Sequence, residues 1–168
     1  MRMWEWAKPG MMPKTDMNLL ITEMSEKHID SVSEIEKACF SSPWSPEGLR
    51  EELENNQAKF LVAEFDNQAV GYIGVQEICG EAYVTNLAVL PVFRKRGIGR
   101  ALLAKAAEGA KSRGCAFITL EVRESNIPAI SLYSSMGFAT VGKRKNFYSS
   151  PDEDGIIMTL FFGNEPDT

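Results

Sequence analysis

Metal-binding residue types are scarce in this chain. It carries one histidine and three cysteines, Cys39, Cys79 and Cys115, far apart in sequence. An odd and scattered set supports neither a disulfide framework nor a ligand cluster. His28 has no cysteine or second histidine near it and reads as an ordinary surface or helix-start residue, because metal sites group their ligands. No metal is expected, and a reducing compartment, the cytoplasm, fits. Positive charge is also in short supply. Eighteen Lys and Arg against 23 Asp and Glu give a net charge of −5, without the basic excess that phosphate-backbone binding needs. No direct nucleic-acid partner is expected, and the acidic balance favours a cationic substrate. No apolar run is long enough to cross a membrane. Residues 1–17 are broken by Pro9, Gly10 and Pro13 and contain no continuous apolar stretch of the secretory kind.

What is present suits one domain. A chain of 168 residues, 44% apolar and 24% charged, is of single-domain size. The patterned part spans residues 18–162, between an N-terminal tail, 1–17, and a C-terminal tail, 163–168. Asn18 to Met24 reads as a strand, and Ile29, Val32, Ile35 and Cys39 recur at helical spacing behind Asp30. Ser45, Pro46 and Glu47 supply an N-cap, a proline at the first helical position and an early acid. They open a second helix that ends near Asn55. Phe60 to Phe65, Val70 to Val75 and Tyr83 to Leu90 form an antiparallel meander. Ile98, Leu102, Ala106 and Ala110 then mark a helix stopped by Gly114, followed by a strand from Ala116 to Val122. Strand, helix and strand imply a parallel crossover. A helix from Ile127 to Met136 and strands at Phe138 to Phe147 and Ile156 to Phe161 complete the chain. The sum is α+β, or mixed α/β: a mixed sheet, antiparallel at both ends and parallel in the middle, with helices on its faces.

The sharpest local signal is Arg94-Lys95-Arg96-Gly97-Ile98-Gly99-Arg100, between a strand and a helix. Glycines let the backbone close around a ligand, and the unpaired N–H groups of a first helical turn attract anions. Four cations at a helix N-terminus oppose its dipole. A solvated basic turn leaves that arrangement unexplained, whereas a bound pyrophosphate accounts for it. A dinucleotide fingerprint fits less well, since the third glycine position holds Leu102 and Pro91 to Arg96 separate the strand from the glycines.

With Asn86-Leu87-Ala88-Val89 leading through Pro91 into Arg94-x-x-Gly97-x-Gly99, the region resembles the acetyl-CoA signature of GNAT acetyltransferases. Leu120 to Arg123, Ser125-Asn126, Ala129-Ile130, Leu132-Tyr133, Gly137-Phe138 and Asp154 to Met158 resemble the ribosomal-protein alanine N-acetyltransferases of that superfamily, the RimI-like group. The likeness covers about Leu19 to Leu160. It implies a GNAT fold, with a mostly antiparallel sheet whose central parallel strands splay. It also implies acetyl-CoA as co-substrate, and as partner the N-terminal alanine of a ribosomal protein, acetylated by direct transfer by a monomer or weak dimer. The backbone of Leu87, Ala88 and Val89 would line the acetyl end of acetyl-CoA, and Lys95 to Arg100 the pyrophosphate. Other acceptors, a small amine or a protein lysine, share fold and co-substrate. A CoA-binding regulatory module would need the loop at Arg94 to Arg100 alone.

The catalytic candidates are Glu121 and Tyr133. Glu121 shares strand parity with Phe117 and Thr119, opposite the apolar Ile118, Leu120 and Val122, and it can serve as a base for an α-amino group. Its structural alternative is an ion pair with Arg123. Tyr133 can protonate a departing thiolate, or simply pack with Met136 and Phe138. Asn126, two helical turns earlier, can bond the pantetheine amides or merely cap the helix. Cys115 would share the parity of Glu121 but lacks a histidine for acyl-cysteine chemistry. By resemblance, Pro43, Trp44 and Tyr148 belong to the loops that embrace the acceptor. Phe147 stands where relatives often carry a second tyrosine, and Trp44 could instead be a lid over the first two helices.

Overall fold

The computed structural model describes residues 18–163, so the predicted tail 1–17, with Trp4 and Trp6, lies outside the described residues, as do residues 164–168 of the C-terminal tail. Seven strands and four α-helices follow one another along the described residues. They are β1 (Leu19–Glu23), α1 (Ile29–Cys39), α2 (Pro46–Glu54), β2 (Ala58–Phe65), β3 (Gln68–Ile78), β4 (Glu81–Val89), α3 (Ile98–Ser112), β5 (Phe117–Arg123), α4 (Ile127–Ser135), β6 (Ala139–Tyr148) and β7 (Glu153–Phe161). The sheet order is β1-β2-β3-β4-β5-β7-β6. Every neighbouring pair is antiparallel except β4 with β5. The mixed, mostly antiparallel sheet expected from the sequence is therefore the one formed.

Local chemistry fixes the turns. Asp66 and Asn67 both adopt positive φ, as do Cys79 and Gly80. Each pair makes the two-residue turn whose twist matches an antiparallel hairpin. Ser45 Oγ accepts the Gly48 N–H at 3.1 Å and Pro46 opens α2, as its sequence foretold. At the far end of α3, Gly114 takes φ +88 and the Cys115 N–H closes on the Ala110 carbonyl at 3.0 Å, a left-handed stop that suits glycine. Cys115 accordingly precedes β5 and packs into the core. It does not share the strand face of Glu121.

Two cores sandwich the sheet. On one face, Ile98, Leu102, Leu103, Ala106 and Ala110 of α3 pack with Ile118, Leu120 and Val122 of β5 and Met158 of β7, and α4 adds Ala129, Ile130 and Tyr133 at the margin. On the other, Ile29, Val32 and Ile35 of α1 and Leu49 of α2 cover Val62, Ala69, Tyr72 and Ala88. Each aliphatic side chain fully buried this way contributes about 1.5–3 kcal/mol. The helices α1 and α2 thus sit over β2 to β4, while β5, β7 and β6 leave that same face open for a site.

Two irregularities shape the middle of the sheet. In the β3–β4 ladder, Gly74 pairs with Asn86 but Val75 pairs with Val84, so Thr85 is an extra, bulged residue. The bulge inverts the side-chain alternation. Ala82 and Val84 pack toward α3 before it, Leu87 and Val89 after it, which leaves Ala88 toward α1. The second irregularity is the parallel pair itself. It consists of Ala82 with Ile118 and Tyr83 with Thr119, after which β4 and β5 diverge and a wedge opens at their carboxyl ends.

Candidate active site

The wedge is where sheet hydrogen bonding stops; its banks carry Leu87, Ala88, Val89 and Glu121, and the loop from Arg94 to Arg100 follows the β4 bank. On the β4 bank, the Leu90 N–H donates to the Val70 carbonyl at 2.9 Å. Strand alternation then turns the main-chain groups of Ala88 toward β3 and those of Leu87 and Val89 into the gap. The Val89 carbonyl is already engaged there, accepting from Arg94 Nε at 3.0 Å and from Cys39 Sγ at 3.5 Å.

Beyond Val89 the chain forms a short 3₁₀ turn, Pro91–Phe93, and enters α3 through Gly97 at φ +81, ψ 7. The first bond into the helix runs from the Ala101 N–H to the Gly97 carbonyl at 3.0 Å. The N–H groups of Ile98, Gly99 and Arg100 precede it and have no intrahelical acceptor. A Cβ built on Gly97 meets nothing within 4 Å, and one on Gly99 would lie 3.9 Å from Val89 Cγ2. The helix start is thus open to a ligand and stands against the end of the β4 bank. Of the loop cations, Arg94 braces the Val89 carbonyl and also reaches Cys39 Sγ at 3.5 Å, Arg96 lies 5.7 Å from the Phe93 ring, and Arg100 donates to Ser135 Oγ at 2.6 Å. Lys95 is exposed at φ +61. Arg94 and Arg100 therefore fasten the loop to β4 and α4 while adding positive potential.

On the β5 bank, the odd face presents Phe117, Thr119, Glu121 and Arg123 away from α3, opposite the buried Ile118, Leu120 and Val122. Glu121 does not pair with Arg123. Its Oε1 lies 3.3 Å from Arg144 Nε on β6, because β7 is threaded between β5 and β6 and carries Arg144 to that face. Arg123 instead lies 4.5 Å from the Tyr148 ring and donates to the Ser149 and Pro151 carbonyls at 3.2 and 3.0 Å. It also reaches Glu153 at 3.4 Å. That knot holds the β6–β7 connection, with Phe147 and Tyr148 edge to face at 5.0 Å, beside Glu121.

Electrostatics ties the candidates together. Burial pushes the Tyr148 phenol up to about 12, helped by the nearby Glu121 carboxylate and opposed by Arg123. Burial also raises the Tyr133 phenol, so Tyr133 holds its proton at neutral pH. Its ring packs on Phe138 at 6.0 Å, which meets the packing role. Asn126 caps α4, Oδ1 accepting the Ala129 N–H at 3.3 Å, which leaves its amide donors to face outward. Trp44 is 39% exposed, too open for a pure core lid. Pro43 beside it is exposed as well. A groove of about 590 Å³ between β1, β2 and the second half of α3 contains none of these residues. Among the described residues no group of three His, Cys, Asp or Glu could hold a metal ion, and no helix is long and apolar enough to cross a membrane.

An acetyltransferase (GNAT) family model matches residues 29–138, from α1 through both banks and the helix-start loop. The chain belongs to the GNAT acetyltransferase family. It is 39% identical over 139 residues to a Bacillus subtilis relative, covering 82% of this chain and 92% of that one. It is 35% identical over 147 residues to the ribosomal protein bS18-alanine N-acetyltransferase of Haemophilus ducreyi, covering 84% and 99%. Its structure is similar to the crystal structure of the ribosomal-protein-S18-alanine N-acetyltransferase of Escherichia coli, with TM-score 0.79, 29% identity, and 89% and 97% coverage. A Thermoplasma acidophilum N-acetyltransferase in complex with coenzyme A shares the fold at TM-score 0.73 and 22% identity, over 87% and 100% of the chains.

Two residues at this GNAT site escape a reading of the sequence. Arg144, the ion-pair partner of Glu121, lies 23 positions away, and only the β5–β7–β6 pairing brings it near. Glu36 is 1% exposed under α1. The available signal was a carboxylate on the buried stripe of an amphipathic helix, four residues after Val32 and one after Ile35.

Proposed function

We propose that this GNAT chain transfers acetyl from acetyl-CoA to the α-amino group of the N-terminal alanine of ribosomal protein bS18, in the cytoplasm. The acceptor is carried by one observation: relatives 34–35% identical over more than four fifths of the chain bear the name of that activity. The donor fits what the chain offers, an open helix start whose N–H groups and adjacent cations suit a diphosphate, next to a gap lined by main-chain groups.

In this mechanism acetyl-CoA supplies an activated thioester, and the chain's residues bind, orient and move protons. The N–H groups from Ile98 to Arg100 and the Lys95 to Arg100 loop hold the diphosphate. Leu87 and Val89 line the path of the thioester with main chain, Ala88 between them being bonded to β3, and Asn126 offers amide donors to the pantetheine arm. Pro43, Trp44 and Tyr148 flank the acceptor, which approaches on the open face. An α-amino group titrates near 7.7–8.0, so a modest base suffices to free its lone pair, and Glu121 takes that proton. The neutral amine attacks the thioester carbonyl, the C–S bond breaks as the nitrogen releases its second proton to solvent, and Tyr133 protonates the departing sulfur and regains its own proton from solvent. No covalent acyl-enzyme is formed.

The test is direct. The purified chain is incubated with acetyl-CoA and a peptide carrying the bS18 N-terminus, beside a scrambled peptide, a lysine peptide and a polyamine. The expected result is acetyl mass gain on the α-amine of the bS18 peptide with equimolar free thiol. Preferential turnover of the lysine peptide or the polyamine would refute the acceptor while leaving the donor site standing.

A further inference from the structure

Glu36 is a carboxyl group in an apolar place. It projects from α1 beside Ile29, Val32 and Ile35 and is as buried as they are. Taking a carboxylate out of water costs several kcal/mol unless donors surround it. Among the described residues no Lys or Arg pairs with it. Its donors are neutral and come from two separate parts of the molecule. On the sheet side, Oε1 accepts from the Tyr72 hydroxyl of β3, with Asn86 Nδ2 of β4 3.5 Å away. On the loop side, Oε2 accepts the main-chain N–H of Trp44 at 3.0 Å. Burial and Glu36 raise the Tyr72 phenol, which keeps it a donor.

The division of the two oxygens is informative. Asn86 follows the Thr85 bulge and directly precedes Leu87 to Val89, the bank of the gap. Trp44 stands in the connection from α1 to α2, one residue before the α2 cap at Ser45. A single side chain therefore fixes the height of that connection above the strand on which the donor lies. For stability alone, apolar groups in place of Glu36 and its donors together would serve as well or better.

We propose that Glu36 is a positioning residue for the acceptor. Its carboxyl group holds the Trp44 main chain at a set distance from β4, so that the Trp44 ring walls the slot through which the peptide amine reaches the thioester. The proposal rests on the assignment of Trp44 to the acceptor slot. It gives Glu36 an effect on acceptor affinity and none on donor affinity.

Glu36→Gln tests it, since glutamine has one acceptor oxygen for donors on two sides and places an NH₂ against one of them. The expected result is a rise of about 5- to 30-fold in KM for the bS18 peptide, the equivalent of one hydrogen bond lost with its donor left buried. KM for acetyl-CoA and kcat stay within about twofold. Tyr72→Phe removes a sheet-side donor and leaves the Trp44 bond, so it lowers Tm without moving either KM. Equal rises in both KM values for Glu36→Gln, or no rise in either, would overturn the proposal. Should Glu36→Gln not fold, Glu36→Asp carries the same test. It keeps both oxygens but is one methylene too short to reach the Trp44 N–H from α1. Trp44→Ala serves as the reference. An unchanged peptide KM there overturns the slot and this proposal with it, whereas absence of any turnover by the unmodified chain counts against the proposed function itself.

Discussion

Replacing Gly97 with alanine separates what the helix-start loop does for the fold from what it does for acetyl-CoA. Gly97 sits at φ +81, ψ 7, where an L-residue costs about 1–2 kcal/mol. In a chain of this size 1 kcal/mol moves Tm by about 2–4 °C, so the variant should melt about 2–8 °C lower. The added methyl touches no protein atom within 4 Å; it projects into space a diphosphate would fill. Main-chain hydrogen bonds to a charged ligand are worth about 1.5–3 kcal/mol, so displacing the ligand should weaken Kd about 10- to 150-fold. Gly114 supplies a matched control. It has φ +88, it also has open space around its Cβ position, and it lies at the opposite end of α3. Gly114→Ala should lose similar stability and keep its affinity. The assay is calorimetric titration with acetyl-CoA on both variants below their melting range, with melting curves alongside. Similar Tm losses with wild-type Kd in both variants would refute the assignment of Gly97 to the diphosphate site.

Tyr133→Phe keeps the ring packed on Phe138 and removes the proposed acid. Turnover should fall about 10²- to 10⁴-fold with Tm within about 2 °C, and stopped-flow single-turnover rates check it. Glu121→Gln should cut kcat/KM for the peptide by about 10²-fold or more while acetyl-CoA binding, followed by calorimetry, stays near wild type. Tyr148 gives a pH signature. Its folded phenol sits up at about 12 against about 10 unfolded, so the stability it contributes is complete below about pH 10 and is lost as pH rises through about 12. Denaturant melts of the wild type should therefore weaken across that alkaline window, and Tyr148→Phe should flatten that part of the curve.

The sequence made some of this site legible and hid the rest, for physical reasons. Caps and helix-start loops are local. Ser45-Pro46-Glu47 and Gly97-Ile98-Gly99 announce themselves because their chemistry is completed within four residues. The parity of β5 was equally visible, since Ile118, Leu120 and Val122 must all face one core. The boundaries of β3 were less so. Gln76, Glu77 and Ile78 continue the strand because Glu77 is paired to Ala82 across the hairpin and clamped at 2.5–2.9 Å by Arg113, a residue far along the chain. The Thr85 bulge has no local mark, and it decides which side chains of β4 look toward α1. Spacing offered Glu121 an alternative partner two residues away, Arg123, whereas its ion-pair partner is Arg144 on β6, since pairing order, not spacing, sets who faces whom across a sheet. The carboxyl of Glu36 needed both α2 and β4 in place before its neighbours could be named.

The parallel seam between β4 and β5 lasts only two residue pairs, and past it each bank offers peptide groups with no partner strand. The acetyl-CoA arm proposed for that opening would be recognised through atoms every amino acid possesses. Drift in side-chain identity along Leu87 to Val89 should thus be nearly invisible to the thioester arm, provided the strand keeps its curvature. The chemistry of this protein is guarded less by which residues stand there than by the interruption of its own weave.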